Sequence, residues 1–311
     1  MAQGVEWAFE IPIRFERQWR MKKFLTWQIG DVRVTRIQES EASGLGEFLK
    51  DAVPENLRNI EWLKPHFMNE DGDASWSIHA LVIEADDRRL LVDTCVGNDK
   101  NLPIPIWNQL QGSFLQDLEA AGFPRESIDT VLCTHLHVDH VGWNTYLEDG
   151  VWKPTFPNAR YLVASEEWTH WQSQDDGFTE AVFSESIRPV EEAGLIDLID
   201  WEAQICPEVR LEPTPGHTPG HVSIHISSAG QEAVITGDMT HHPCQLAHPE
   251  WGSVVDTDFD CGIATRRSFY ERYVESETLV IGTHFSTPTA GHILRDGENY
   301  RLDVSRTKKR D

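Results

Sequence analysis

Residues 134–144 read T-H-L-H-V-D-H-V-G-W-N, and they place four strong metal-ligand types, His135, His137, Asp139 and His140, within six positions. The residues just before them, 129–133 (D-T-V-L-C), form a short apolar run that reads as a buried strand ending at the cluster. In extended backbone alternate side chains point the same way, so His135 and His137 can reach one metal ion. Asp139 and His140 follow the turn and can face a second. One histidine in a loop is usually an ordinary polar group. Three histidines and an aspartate in six residues match metal chemistry and little else.

Outward from this segment, strands and helices alternate. Periodicity predicts a hairpin over 25–29 and 31–38, another over 77–85 and 89–94, and a helix over 108–121 ended by Gly122. Further strands are expected at 160–164, 195–199, 209–212, 221–226, 233–236 and 278–282. Helices are expected from an N-cap at Ser165, over 179–193 and over 265–274. The proline-rich stretch 97–107 reads as a loop over a pocket, and 56–69 as a second lid. Domain organisation is read as an N-terminal arm or extension over 1–23, one catalytic domain over 24–304, and a charged tail over 305–311.

The chain carries 27 Lys and Arg against 51 Asp and Glu, a formal net charge of -24. Such a surface repels phosphate backbones and anionic lipid, which argues against a nucleic-acid or membrane partner. A small-molecule substrate is expected instead. The five cysteines form no C-x-x-C pair and read as free thiols of a reducing, cytoplasmic protein. No apolar run suits a signal peptide or a membrane span. The aromatic residues of the first twenty positions suit an arm that docks, and a homodimer is one use for it.

The cluster, taken with one earlier and three later positions, resembles the metallo-β-lactamase superfamily. Asp93 ends L-V-D-T-C, His217 lies in P-T-P-G-H-T-P-G-H, Asp238 ends V-I-T-G-D, and His284 ends V-I-G-T-H. Order and context agree with the family over most of the chain. The resemblance implies an α/β fold, a four-layer αβ/βα sandwich with the site at one edge of two sheets. It implies two divalent ions, with zinc the default and cobalt, iron or manganese fitting as well. One ion would take His135, His137 and His217, the other Asp139, His140 and His284, with Asp238 bridging; Asp93 would sit beside the site. His221 and His225 read as buried hydrogen-bonding groups near it. No ligand role is expected for His66, His79, His170, His248 or His292, and His242 is expected to face away.

A water between two such ions loses a proton near neutral pH, which implies hydrolysis of an ester-like bond with Asp139 or Asp238 relaying the proton. An aspartate at 238 separates the chain from the true β-lactamases, which carry serine or cysteine there, and His137 separates it from redox diiron members. In pattern it is most similar to the N-acyl homoserine lactone lactonases and methyl parathion hydrolase. A lactone or carboxyl ester of a small, largely apolar substrate is therefore expected, with a phosphotriester as the alternative and a non-catalytic metal sensor a more distant one. His241, three residues after Asp238, is placed for acid–base contact with substrate. Trp143 and Phe285, beside the motif residues, are the expected pocket walls; Trp76, Trp107 and Trp251 are further aromatics near loops.

Overall fold

The polypeptide is described here by a computed structural model covering residues 24–306. The N-terminal arm and the last five tail residues lie outside the described residues. The strands, in chain order, are β1 (Thr26–Ile29), β2 (Val32–Ser43), β3 (Ser75–Ala85), β4 (Arg88–Val92), β5 (Thr130–Leu132), β6 (Thr145–Glu148), β7 (Val151–Pro154), β8 (Arg160–Ala164), β9 (Ile196–Ile199), β10 (Gln204–Cys206), β11 (Val209–Pro213), β12 (Val222–Ser228), β13 (Gln231–Ile235), β14 (Leu279–Ile281), β15 (Ala290–Asp296) and β16 (Asn299–Asp303). One seven-stranded sheet runs β1-β2-β3-β4-β5-β8-β9, the other β10-β11-β12-β13-β14-β15-β16, and β6-β7 is a separate hairpin.

The side-chain alternation of β3 shows how the layers form. Leu81, Ile83 and Ala85 belong to one apolar cluster together with Ile224, Ile226, Ala233 and Ile235 of the second sheet. Ile78, Ala80 and Val82 point the other way, into a cluster that includes Phe114 and Leu118 of the helix Phe114–Ala120. A strand buried on both faces reads as a continuous apolar run, which is why residues 77–85 do so. On the far side, the helix Phe259–Tyr273 buries Phe269, Tyr270 and Tyr273 in the outer cluster. Helix, sheet, sheet and helix make the four-layer α/β sandwich of the metallo-β-lactamase fold.

Parallel pairing of β4, β5, β8 and β9, and of β13 with β14, sends several strand C-termini to one edge. Ligands of open α/β sheets bind at that kind of edge. The candidate residues Asp93, His135, Asp238 and His284 all follow the C-termini of β4, β5, β13 and β14.

Several predicted elements shift. The helix expected over 108–121 is confined to Phe114–Ala120, because 97–113 stays irregular. The helix expected over 179–193 is interrupted by a π turn at Phe183–Ile187 between Gly177–Val182 and Arg188–Glu192. Ser165 is inside its helix rather than capping it; the cap is Ala164, and Ser165 Oγ donates to Ile199 O at 3.1 Å. The hairpin β15-β16 was not expected, although Asp296-Gly297 between alternating segments is a hairpin signal, and Gly297 takes the required positive φ of 60°. All five cysteines are free.

Candidate metal centre

Each ligand position begins as a strand end. After β5 the chain passes Thr134 and enters the short helix Val138–Val141, which carries Asp139 and His140. Asp93, at the end of β4, adopts a left-handed φ of 56°. In that conformation its carboxylate reaches sideways: Oδ1 accepts from Thr134 N at 2.8 Å, and Oδ2 lies 2.9 Å from His140 Nδ1. Gly237, before Asp238, also has positive φ, and a Cβ there would lie 2.4 Å from His221 Nε2. The bare backbone lets Asp238 N donate to His221 Nε2 at 2.8 Å, which makes His221 a support for Asp238.

The potential ligand atoms converge in overlapping groups. His135, His137 and His217 bring one nitrogen each within reach of one another, as do Asp139, His140 and His284 with their own ligand atoms. His137 Nδ1 lies 2.9 Å from His135 Nε2 and 2.8 Å from His217 Nε2. Asp238 stands between the groups. Its Oδ2 is 3.3 Å from His140 Nε2, 3.6 Å from His217 Nε2 and 3.8 Å from His135 Nε2, while its Oδ1 is 3.1 Å from His284 Nε2.

The outward nitrogens identify what the inward ones offer. His140 Nδ1 faces Asp93, His217 Nδ1 lies 2.8 Å from Asp256 Oδ1, and His284 Nδ1 lies 3.0 Å from Ser77 O. Carboxylate and carbonyl oxygens accept, so each Nδ1 carries the proton and each inward Nε2 presents a lone pair. Lone pairs from buried imidazoles crowded around carboxylates form a donor set suited to divalent cations. Asp238 Oδ1 is buried without a hydrogen-bond partner, which fits an atom meant for a cation.

The two groups differ electrically. Burial, and then the neighbouring His140, pushes the pKa of His135 well below its ordinary value; burial and His217 do the same to His137. Burial also opposes charge on His140 and His284, yet Asp238 and other carboxylates outweigh it and raise both. Burial resists charge on Asp238, but His140 and His284 hold its carboxyl well below the usual range.

A cavity of about 1070 Å³ opens over this floor. His137, Asp139, His217, Asp238, His241 and His284 line it at the bottom. Its walls carry Phe48, Trp76, Ile104, Trp107, Trp171 and Phe178. No lysine or arginine lines it among the described residues.

The sequence profile of the metallo-beta-lactamase superfamily matches residues 73–284. The chain belongs to the metallo-beta-lactamase superfamily. No curated protein matches it with significance. Among solved structures, AidC, described as a dizinc quorum-quenching lactonase, matches with a TM-score of 0.76 at 21% identity, over 90% of this chain and 96% of its own. AbOPH, described as a hydrolase of the beta lactamase superfamily, gives 0.75 at 25% identity, over 92% and 98%. A probable metal-dependent hydrolase from Staphylococcus aureus gives 0.67 at 22% identity, over 90% and 99%.

Within this superfamily member, the seven positions proposed as ligands come together. His241 comes closer than a pocket residue need: its Nε2 is 3.2 Å from Asp238 Oδ2, and it groups with His217 and Asp238. Both its ring nitrogens are buried without a hydrogen-bond partner. The expected walls need correction. Trp143 does not line the cavity; it is 5% exposed, stacks on Phe114 and donates from Nε1 to Glu39 Oε1 at 2.7 Å. Phe285 does not line the cavity either; it is fully buried, with its ring 6.2 Å from that of Phe67. Trp251 stacks on His248 away from the cavity, whereas Trp76 and Trp107 do line it.

The loop over 97–107 supplies Ile104, Ile106 and Trp107 to the wall, as its prolines suggest. The second lid lies earlier than expected. Residues 44–48 and 52–54 line the cavity, whereas Leu57, Leu63 and Phe67 sink into the core. His170, expected to be a bystander, also lines the cavity. His242 turns away, with Nε2 2.8 Å from Phe67 O. Asp256, the partner of His217, had no signal in the sequence: an aspartate in a loop 39 residues further on has no spacing that ties it to a ligand.

Proposed function

We propose that the chain is a dinuclear metal-dependent hydrolase that opens a lactone or carboxyl ester of an uncharged, largely apolar substrate. The observation that carries this reading is the cavity: apolar and aromatic walls without a lysine or arginine among the described residues, standing on a floor of convergent imidazoles and carboxylates. Apolar walls with a few placed polar groups are the ordinary form of a small-molecule site. Among the described residues, an anionic substrate would find acids along those walls, Glu47, Asp73 and Asp176, and no lysine or arginine. AidC is described as a dizinc lactonase, but at 21% identity the likeness extends to the fold, so the substrate reading rests on the cavity itself.

Two divalent ions held by His135, His137, His217, Asp139, His140, His284 and Asp238 would supply Lewis acidity and lower the pKa of water toward neutrality. The chain's own groups would do the rest. Asp139, at the cavity floor, is placed to take a proton from the attacking water and pass it to the leaving oxygen. Asp238 keeps its negative charge through its histidine neighbours. Burial lowers the pKa of His241, with Asp238 opposing, so its neutral imidazole can hydrogen-bond the substrate carbonyl or the departing alkoxide. The aromatic walls hold the acyl or aryl part and exclude water.

The same cavity suits a phosphotriester, which is also uncharged, and this is the second reading. Acyl lactones, aryl esters and phosphotriesters assayed with and without chelator separate them. Chelator-sensitive turnover of lactones or esters supports the first reading, and turnover confined to phosphotriesters supports the second. Turnover indifferent to chelation sinks both.

A further inference from the structure

Four of the histidines at the centre are oriented through their outer nitrogens: His135 by Thr134 Oγ1 at 3.1 Å, His140 by Asp93, His217 by Asp256 and His284 by Ser77 O. His137 differs. Its Nδ1 faces the other two histidines of its group, and among the described residues no hydrogen bond reaches its Nε2. A ring with no outer tether needs another source of orientation. Two are present: the backbone at Leu136, between His135 and His137, and the indole of Trp171, which meets the His137 ring edge-on at 5.2 Å and 79°.

Both of those sources end on one carboxylate. Glu167 lies in the first turn of the helix Ser165–Gln172 and is 1% exposed. Its Oε1 accepts from Leu136 N at 3.0 Å and from Trp171 Nε1, one helical turn on, at 2.6 Å. Its Oε2 accepts from Thr218 Oγ1 at 2.6 Å and Gly220 N at 3.2 Å, on the loop that carries His217. That loop is pressed against the helix so closely that a Cβ on Gly220 would lie 2.0 Å from Glu167 N. A buried carboxylate is costly unless its lone pairs are met, and four donors meet these.

We propose that Glu167 is a positioning residue that fixes His137 and His217 relative to each other and locks the Trp171 wall of the cavity to that half of the centre. It touches neither substrate nor ion. It acts through Leu136, Thr218, Gly220 and Trp171, so the wall that would contact substrate and the three-histidine group are held by a single side chain. The inference rests on the metal-centre reading above.

The test uses the full-length chain loaded with zinc and challenged with increasing chelator, zinc per chain being measured, so it does not depend on knowing the substrate. Glu167→Gln keeps the shape but replaces an acceptor with a donor. Thr218→Val keeps the shape of threonine without its hydroxyl, and Thr218→Ser keeps the hydroxyl without the methyl. In Glu167→Gln and Thr218→Val, one of two zinc ions should be lost at roughly ten- to hundredfold lower chelator than in the wild type, the usual scale for removing a support of metal ligands. Thr218→Ser should retain zinc like the wild type. If Glu167 only packs the loops, the order within the threonine pair reverses, with serine leaky and valine intact, and that result overturns the proposal. Zinc retention unchanged in both Glu167→Gln and Thr218→Val overturns it as well. A wild-type chain that holds no zinc overturns the metal-centre reading instead, which is a separate result. On any ester the wild type turns over, Glu167→Gln should lower kcat; a rise in KM with kcat kept would remove the link to the centre.

Discussion

The floor and the walls of the cavity are built on different terms. Floor residues sit where strands end, and most have a partner on the side away from the cavity: Asp93 for His140, Asp256 for His217, Ser77 O for His284, His221 for the backbone of Asp238. The walls come from loops and short helices, 44–54, 97–107 and 170–179, and contribute mainly apolar surface. A metal centre tolerates little displacement, and these partners limit it. A wall that grips an acyl or aryl group by area can shift its contacts and still work. Changes to the floor should therefore act on chemistry as a whole, and changes to the walls on substrate choice.

The sharpest way to break this contrast is Asp238→Asn. Removing the charge that faces both groups should cost at least about a hundredfold in kcat, the scale seen when an electrostatic centre loses one key group, along with one metal ion, while circular dichroism stays native. A variant with both ions and full activity would take Asp238 out of the centre. Next in size is Asp256→Asn. The amide keeps an acceptor oxygen but no charge, and its NH2 can face His217 Nδ1 instead, so the tautomer is held less firmly and metal affinity should fall by roughly ten- to a hundredfold; titration with zinc at fixed pH measures it.

On the walls, Trp107→Ala should cost about 1.5–3 kcal/mol of apolar contact for substrates long enough to reach it. That is roughly ten- to a hundredfold in kcat/KM for long acyl chains, with short ones nearly unaffected. An equal loss for both lengths would place Trp107 in the chemistry. His241→Ala lies on the boundary and should change the ratio of lactone to aryl-ester turnover more than the metal content. Unchanged ratios across the panel would make it a bystander.

The smallest effect concerns how the wall is fastened. Lys100, fully buried, donates to Thr145 Oγ1 at 2.6 Å and Glu185 O at 3.0 Å and sits 3.6 Å from the centroid of the Trp152 ring. Burial pushes its pKa down to about 7, with Glu185 and Asp99 opposing. The folded chain therefore binds fewer protons than the unfolded one between about pH 7 and the ordinary lysine value of 10.5, and stability should rise with pH across that window. The slope is at most about 1.4 kcal/mol per pH unit. Denaturant midpoints measured at pH 7.5 and 9.5 should converge in Lys100→Met; the same rise in the variant would assign it to another group.

Floor and walls were also unequally legible. The ligands could be read because metal chemistry permits few residue types, and because a strand end announces where they will point. The sandwich could be read through the family resemblance that the ligand motifs carry, and β3, apolar on both faces, is the strand that bears it out. Trp143 and Phe285 were misread for the reason that made them attractive, their nearness to the motif: Phe285 follows the floor residue His284 yet turns into the core, and Trp143, on a 3₁₀ turn past His140, is held by Phe114 and Glu39. Asp256 and Glu167 support the centre from 39 and 31 residues away from the groups they hold, and no local pattern reaches so far. Trp171 shows its cavity face only once the helix Ser165–Gln172 is docked.

Cleaving an ester turns a neutral guest into an anion. On the proposed reaction, the acid released at the floor finds no lysine or arginine along the walls among the described residues and passes Glu47, Asp73 and Asp176 on the way out. A lining that admits uncharged molecules and repels their carboxylates biases traffic in one direction. The enzyme should then be poorly inhibited by its own product and continue turning over as product accumulates.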